Sequence, residues 1–137
     1  MSAGTYAARR ARFVDDSIAT ASPARLLTML YDRLVLDLVR AEAAQESGDR
    51  TVAGEQLLHA QEIVLELASS LRVDEWDGAA GLLSLYGFLH SELVGANISG
   101  DPARTRSSRQ LVEPLAEAWR TAALDGSAQT ALAARAG

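Results

Sequence analysis

Two histidines and eighteen acidic residues are the raw material for any acid–base or metal chemistry in this chain. Glu55 and His59 stand four residues apart, so a helix would put both on one face. A carboxylate-bridged di-metal centre in a helical bundle needs Glu-x-x-His on two helices, with further glutamates. The chain offers no second copy of the pair. It also contains no cysteine, which excludes disulfides, thiolate zinc and thiol catalysis together. No metal and no cofactor are expected. A lone exposed histidine can instead carry a phosphoryl group in a four-helix phosphotransfer bundle. His59 lies opposite the apolar stripe of its segment and is the better placed of the two; His90 sits in His-Ser-Glu. Neither has an adjacent base, amide or glycine to cradle a phosphate, so both read as surface histidines. Phosphate loops and nucleophile elbows are missing from the sequence. The chain does not read as an enzyme, and no catalytic residue is assigned.

Charge points the same way. All thirteen basic residues are arginine, against a formal net charge of −5. Binding to nucleic acid needs a clustered basic face. The two local groups, Arg9, Arg10 and Arg12 and then Arg104, Arg106 and Arg109, read as solvated faces, so nucleic acid is not an expected partner. No apolar run approaches the length of a membrane span, and the N-terminus lacks the apolar core of a signal peptide. A soluble, unexported protein is expected.

The elements behind these side chains are helical. Of 137 residues, 48% are hydrophobic but only 5% aromatic, and alanine and leucine dominate, a mix that favours helices over strands. Residues 1–21 read as a mobile arm or short helix, with Tyr6, Phe13, Val14 and Ile18 as anchors. Ser22-Pro23 then opens the first long helix, with serine as N-cap and proline at the first helical position, and Gly48 ends it. Asp49 can cap a second helix to about Leu71, and Asp74 or Asp77 a third that ends by Gly100. Four glycines, Gly78, Gly81, Gly87 and Gly95, weaken that helix by roughly 1 kcal/mol each relative to alanine; tight packing or mobility would account for them. Asp101-Pro102 repeats the cap-then-proline start. Pro114 predicts a kink in the fourth helix, or a late beginning. Residues 126–137 read as a frayed tail. Residues 22–125 are therefore expected to form an all-α, antiparallel up-down four-helix bundle.

Each helix carries a core stripe. In the first, Leu26, Leu27, Leu30, Tyr31, Leu34, Leu38 and Ala41 fall within an arc of about 140°. The second offers Ala53, Leu57, Ala60, Val64, Leu67, Ala68 and Leu71. The third offers Leu82, Leu85, Tyr86, Leu89, Leu93 and Ala96, and the fourth Leu111, Val112, Leu115, Ala118, Trp119 and Ala122. Apolar residues are left over on three helices: Met29, Val35, Leu36 and Val39; Leu58 and Leu65; Leu83 and Val94, with Phe88. Uneven burial would explain any one pair. Recurrence at heptad-like spacing on three helices suits a surface that holds an apolar helical partner.

These motifs resemble a known family, the flagellar secretion chaperones of the FliS type. Thr20-Ala21-Ser22-Pro23, Leu26-Leu27 and Met29-Leu30-Tyr31-Asp32 look like that family's signature. Ala60, Ile63, Glu66-Leu67 and Ser70-Leu71 continue it, followed by Leu85-Tyr86, Leu89, Leu93, Ala96-Asn97 and Ala118-Trp119. The resemblance spans about residues 6–125. It implies a cytoplasmic chaperone that binds the disordered C-terminal segment of flagellin, prevents early polymerisation and presents it to export gate components. It also implies that Tyr6 covers part of the groove until the client arrives. Two residues depart from the pattern. Arg33 stands where the family commonly has a small residue, which would narrow or charge a groove edge, and Pro114 is unusual in the fourth helix. The groove is assigned to Met29, Val35, Leu36, Val39, Leu58, Leu65, Leu83 and Val94, with Tyr6 as its cap; Tyr31, Tyr86 and Trp119 belong to the core or the groove floor. A generic helical adaptor for another secretion or regulatory partner is the alternative.

Overall fold

The structure, a computed structural model, describes residues 23–71 and 77–125. The arm with Tyr6, the Ser22 cap, Asp74 and the tail from 126 lie outside the described residues. The described residues form four helices: α1 (Pro23–Glu46), α2 (Arg50–Ser69), α3 (Ala79–Ser99) and α4 (Pro102–Asp125).

Local chemistry explains where the helices turn. α1 begins at Pro23, whose missing N–H costs nothing in the first turn. Gly48 and Gly100 hold the left-handed conformation that ends α1 and α3 (φ 78° and 71°), a geometry a side chain at Cβ would oppose. The Asp49 side chain accepts the Val52 amide (3.1 Å) and opens α2. The Asp101 side chain accepts the Ala103 amide (2.9 Å) and opens α4. Asp77 does not cap α3: Gly78 holds the cap position and makes no side-chain hydrogen bond there.

Interhelical contacts fix the topology. Asp32 pairs with Arg120, Glu42 with Arg109 and Glu46 with Arg106, so α4 descends as α1 ascends. Asp37 meets His59 across α1 and α2, and Glu92 meets Arg104 across α3 and α4. Each helix packs against its two neighbours in a closed ring, with the α3–α4 seam the thinnest. This is the expected up-down bundle.

The core stripes of α1 to α3 lie mostly where periodicity put them. Leu27, Tyr31, Leu34, Leu38, Leu57, Ala60, Val64, Leu67, Tyr86, Leu89 and Leu93 are buried, as is Ile63, which the stripe for α2 omitted. Leu30, Leu82 and Leu85 are only half-buried against that core, and Leu26 is likewise half-exposed. At the centre the hydroxyls of Tyr31 and Tyr86 share a hydrogen bond of 2.6 Å between the diagonal helices α1 and α3. Near the end of the bundle Gln45 Nε2 donates to the Ala96 carbonyl (3.2 Å), and Thr105 Oγ1 donates to Gln45 Oε1 (2.7 Å). One side chain thus ties three helices.

α4 departs most from expectation. Its inner stripe is Thr105, Ser108, Val112 and Ala116, with Leu115 and Trp119 half-buried. Leu111 and Ala118 are exposed. Two small hydroxyl residues occupy inward positions because each finds a partner there, Gln45 for Thr105 and the Arg104 carbonyl for Ser108 (3.1 Å). A buried polar group that is hydrogen-bonded carries little penalty. The helix also runs unbroken through Pro114 and does not begin late. Pro114 is exposed, so the carbonyl one turn earlier, on exposed Gln110, is accessible to water when it loses its amide partner.

The arginines of α4 are not a free basic face. Arg106 and Arg109 both donate to Glu42 (2.9 and 3.1 Å), and Arg109 also reaches Glu113. Arg104 lies along Glu92 (2.9 Å). Burial alone would push the Glu42 carboxyl up, but the hydrogen bonds from Arg106 and Arg109 outweigh it and hold the group below its ordinary value of 4.5. A carboxyl depressed in the folded state lends stability above its unfolded pKa, and this is lost as pH falls through the folded value. Glu42→Gln is accordingly expected to cost about 1 kcal/mol in urea unfolding at pH 7, discounted because water still reaches its partners. The difference from wild type should close as the buffer is taken below about pH 4.5. A gap that does not narrow at all as the pH falls would mean that packing, not charge, carries the effect.

Candidate functional site

Most of the apolar residues left over by the core stripes are at the surface. Met29, Leu36, Val39, Leu58, Leu65 and Leu83 are exposed, Leu58 and Leu65 by 54% and 52%. Val94 is half-exposed. Val35 differs: it is half-buried and packed against the core, so it belongs to the fold and not to an open surface. Tyr6 lies outside the described residues.

Their positions around the ring divide them. On α2, His59 turns toward α1, where it meets Asp37. Gly54 turns toward α3, where Asn97 Oδ1 lies 3.7 Å from the place a Cβ would take. Leu58 stands one turn beyond Gly54, and Leu65 two turns beyond Leu58, so both tilt toward α3. On α3, Val94 stands one turn before Asn97, and Leu83 keeps the same side three turns earlier. Because the helices run antiparallel with Gly54 opposite Asn97, Leu58 comes level with Val94 and Leu65 with Tyr86-Gly87. Leu58, Leu65, Leu83 and Val94 therefore flank the α2–α3 seam from both sides. The residues on α1 are elsewhere. Val39 shares its side with Asp32, Glu42 and Glu46, all paired with α4 arginines. Met29 and Leu36 face outward between the α2 and α4 contacts.

A second apolar site joins a surplus residue to one that had been assigned to the core. Phe88 (52% exposed) and Leu111 (41%) line a shallow cavity of about 260 Å³ in the α3–α4 seam, with Arg104, Ser107 and Ser108 as neighbours. Phe88 was visible as surplus. Leu111 looked like core because hydrophobicity alone favours it over Thr105 and Ser108.

His59 is not the plain surface histidine that its sequence position suggested. Its Nδ1 hydrogen-bonds the Asp37 carboxylate, which is fully buried and also accepts Arg33 Nε (2.9 Å). An acceptor-only carboxylate makes Nδ1 the donor. Arg33, expected at a groove edge, is spent on this buried acid. Among the described residues no group of three His, Asp or Glu side chains is placed to hold a metal ion. No described helix is long and apolar enough to cross a membrane.

What remains is a helical bundle with paired charges and exposed apolar side chains at helical spacing. The model of the flagellar protein FliS family matches residues 5–126. The chain belongs to the FliS family. Among curated relatives, the flagellar secretion chaperone FliS of Vibrio cholerae is 29% identical over 117 residues, covering 85% of this chain and 86% of the relative. That of Salmonella typhimurium is 32% identical over 110 residues, with 78% and 81% covered. That of Bacillus subtilis is 29% identical over 110 residues, with 80% and 82% covered. FliS is a family of chaperones in flagellar assembly and export, and an all-α bundle with exposed apolar side chains is consistent with that work.

Proposed function

We propose that this chain is a cytoplasmic export chaperone that binds the C-terminal segment of flagellin as an apolar helix laid along the α2–α3 seam. Leu58, Leu65, Leu83 and Val94 are its contacts there. Tyr6, an apolar ring with a polar tip, covers part of this surface until the client arrives. Met29, Leu36 and Val39 form a second contact for a segment that wraps onto α1. Loaded chaperone then delivers its client to export gate components.

The observation that carries this reading is three exposed leucines and a half-exposed valine astride one seam, in a member of a chaperone family. A segment disordered in isolation loses chain entropy as it becomes helical. Apolar burial at about 25 cal/mol per Å² offsets that loss. Holding the segment so would remove the surface it needs to polymerise.

Titration calorimetry of the full chain with a peptide of the flagellin C-terminal segment tests the proposal. A one-to-one complex with a negative heat-capacity change is expected, as apolar burial requires, together with a gain in peptide helicity by circular dichroism. Absence of binding by the folded chain would overturn it.

A further inference from the structure

The glycines of α3 divide by their surroundings. Gly95 lies beneath the Arg104 guanidinium, which crosses it to reach Glu92, so a packing reason exists there. Gly81 stands at the start of the helix, where a missing side chain matters least. Gly87 is different. It sits in the middle of α3, is exposed, and has open space around it: a Cβ built there would meet nothing within 4 Å. It is not among the two glycines with positive φ. Neither conformation nor internal packing calls for glycine, yet a mid-helix glycine costs roughly 1 kcal/mol relative to alanine.

The surroundings suggest what the bare backbone serves. Leu83 stands one turn before Gly87, His90 one turn after it and Val94 two turns after it, so the glycine leaves a gap in the row that α3 presents beside the seam. Across the seam it comes level with Leu65, which is 52% exposed. An exposed gap one side chain deep, walled by leucines on both helices, lets a second helix approach closely. Helix axes come as near as about 8 Å only where small residues stand at the crossing.

We propose that Gly87 is the point of closest approach for the bound client helix, and that the client carries a small residue at that crossing with larger apolar residues one turn to either side. This rests on the α2–α3 seam being the client surface and adds what selects the client there. The leucines supply apolar burial; the glycine sets depth and register.

The inference sets stability and binding against each other. Gly87→Ala should raise the urea midpoint of the free chain, since alanine is the better helix former and has room, while weakening the flagellin C-terminal peptide by about tenfold. Gly87→Met, also compatible with the helix, should abolish measurable binding without lowering the midpoint. Gly81→Ala, equally open but in the first turn and off the seam, should change the midpoint little and leave affinity unchanged. If Gly87→Ala and Gly87→Met bind the peptide as tightly as wild type, the inference is wrong although the client surface stands. If wild type itself fails to bind, the functional reading falls and takes this inference with it.

Discussion

Leu58→Glu combined with Leu65→Glu should weaken flagellin peptide binding by more than about 100-fold while leaving the fold intact. Each leucine is more than half exposed in the free bundle, so replacing it removes little that folding buried. In the complex each would be covered, and full burial of a leucine contributes about 1.5–3 kcal/mol. Since about half of each side chain is already covered in the free bundle, the two losses together come to about 1.5–3 kcal/mol, or one to two decades in affinity. Burying two glutamates without partners adds a further penalty. Calorimetry reads the binding loss; helix content and the melting midpoint read the fold, with a midpoint change of no more than about 3 °C expected. A double variant that unfolds would place these leucines in the core. One that folds and still binds would move the client surface off the α2–α3 seam. Leu34→Ala is the matching control: Leu34 is fully buried, and its truncation should cost about 2–5 kcal/mol wherever the client binds.

The second large effect is at Asp37. Its carboxylate is fully buried in the α1–α2 seam and held by Arg33 and His59, both of which are partly exposed. Removing both partners by Arg33→Ala with His59→Ala strands a charge away from water and should cost about 3–5 kcal/mol in urea unfolding. Each single replacement leaves one partner in place and should cost well under half of that. Asp37→Leu with both partners present should be much milder, because the freed arginine and histidine can turn to solvent, and the charge that required them is gone. This ordering is the test. Equal losses from the double replacement and from Asp37→Leu would mean that the three groups contribute through packing and not through charge. The triad also bears on His59 itself: a histidine engaged by a buried acid has a structural role that a plain surface position would not give it.

Much of the fold is legible in the sequence, and particular residues show why. Pro23 and Asp101-Pro102 mark helix starts by chemistry confined to one turn. Gly48 and Gly100 mark helix ends because only glycine enters the left-handed region cheaply. Leu34, Leu38, Leu57, Leu67, Leu89 and Leu93 recur at helical period, and a stripe of that width has to be buried. The surplus on α2 was visible for the same reason, since Leu58 and Leu65 lie off the stripe of their own helix. Errors arose where burial is decided by a neighbour. Thr105 and Ser108 are inside because Gln45 and a backbone carbonyl satisfy them; Leu111 is outside because they hold the inner positions. Asp37 is buried because Arg33 and His59 converge on it from two helices. Asp77 is a good capping residue, yet the helix begins one position too late for it to cap.

The sequence by itself determined four helices, their boundaries to within a turn or two, most of the core and the family, because each depends on spacing along one chain. Which surplus residues share a surface was left to the tertiary structure. Leu58, Leu65, Leu83 and Val94 came to flank one seam, Met29 and Leu36 were set apart on α1, Val35 was drawn in, and Phe88 met Leu111 on a different seam. A helical wheel gives a direction relative to its own axis only. The rotation of each helix about that axis, and its register against the next, come from the packing of all four together.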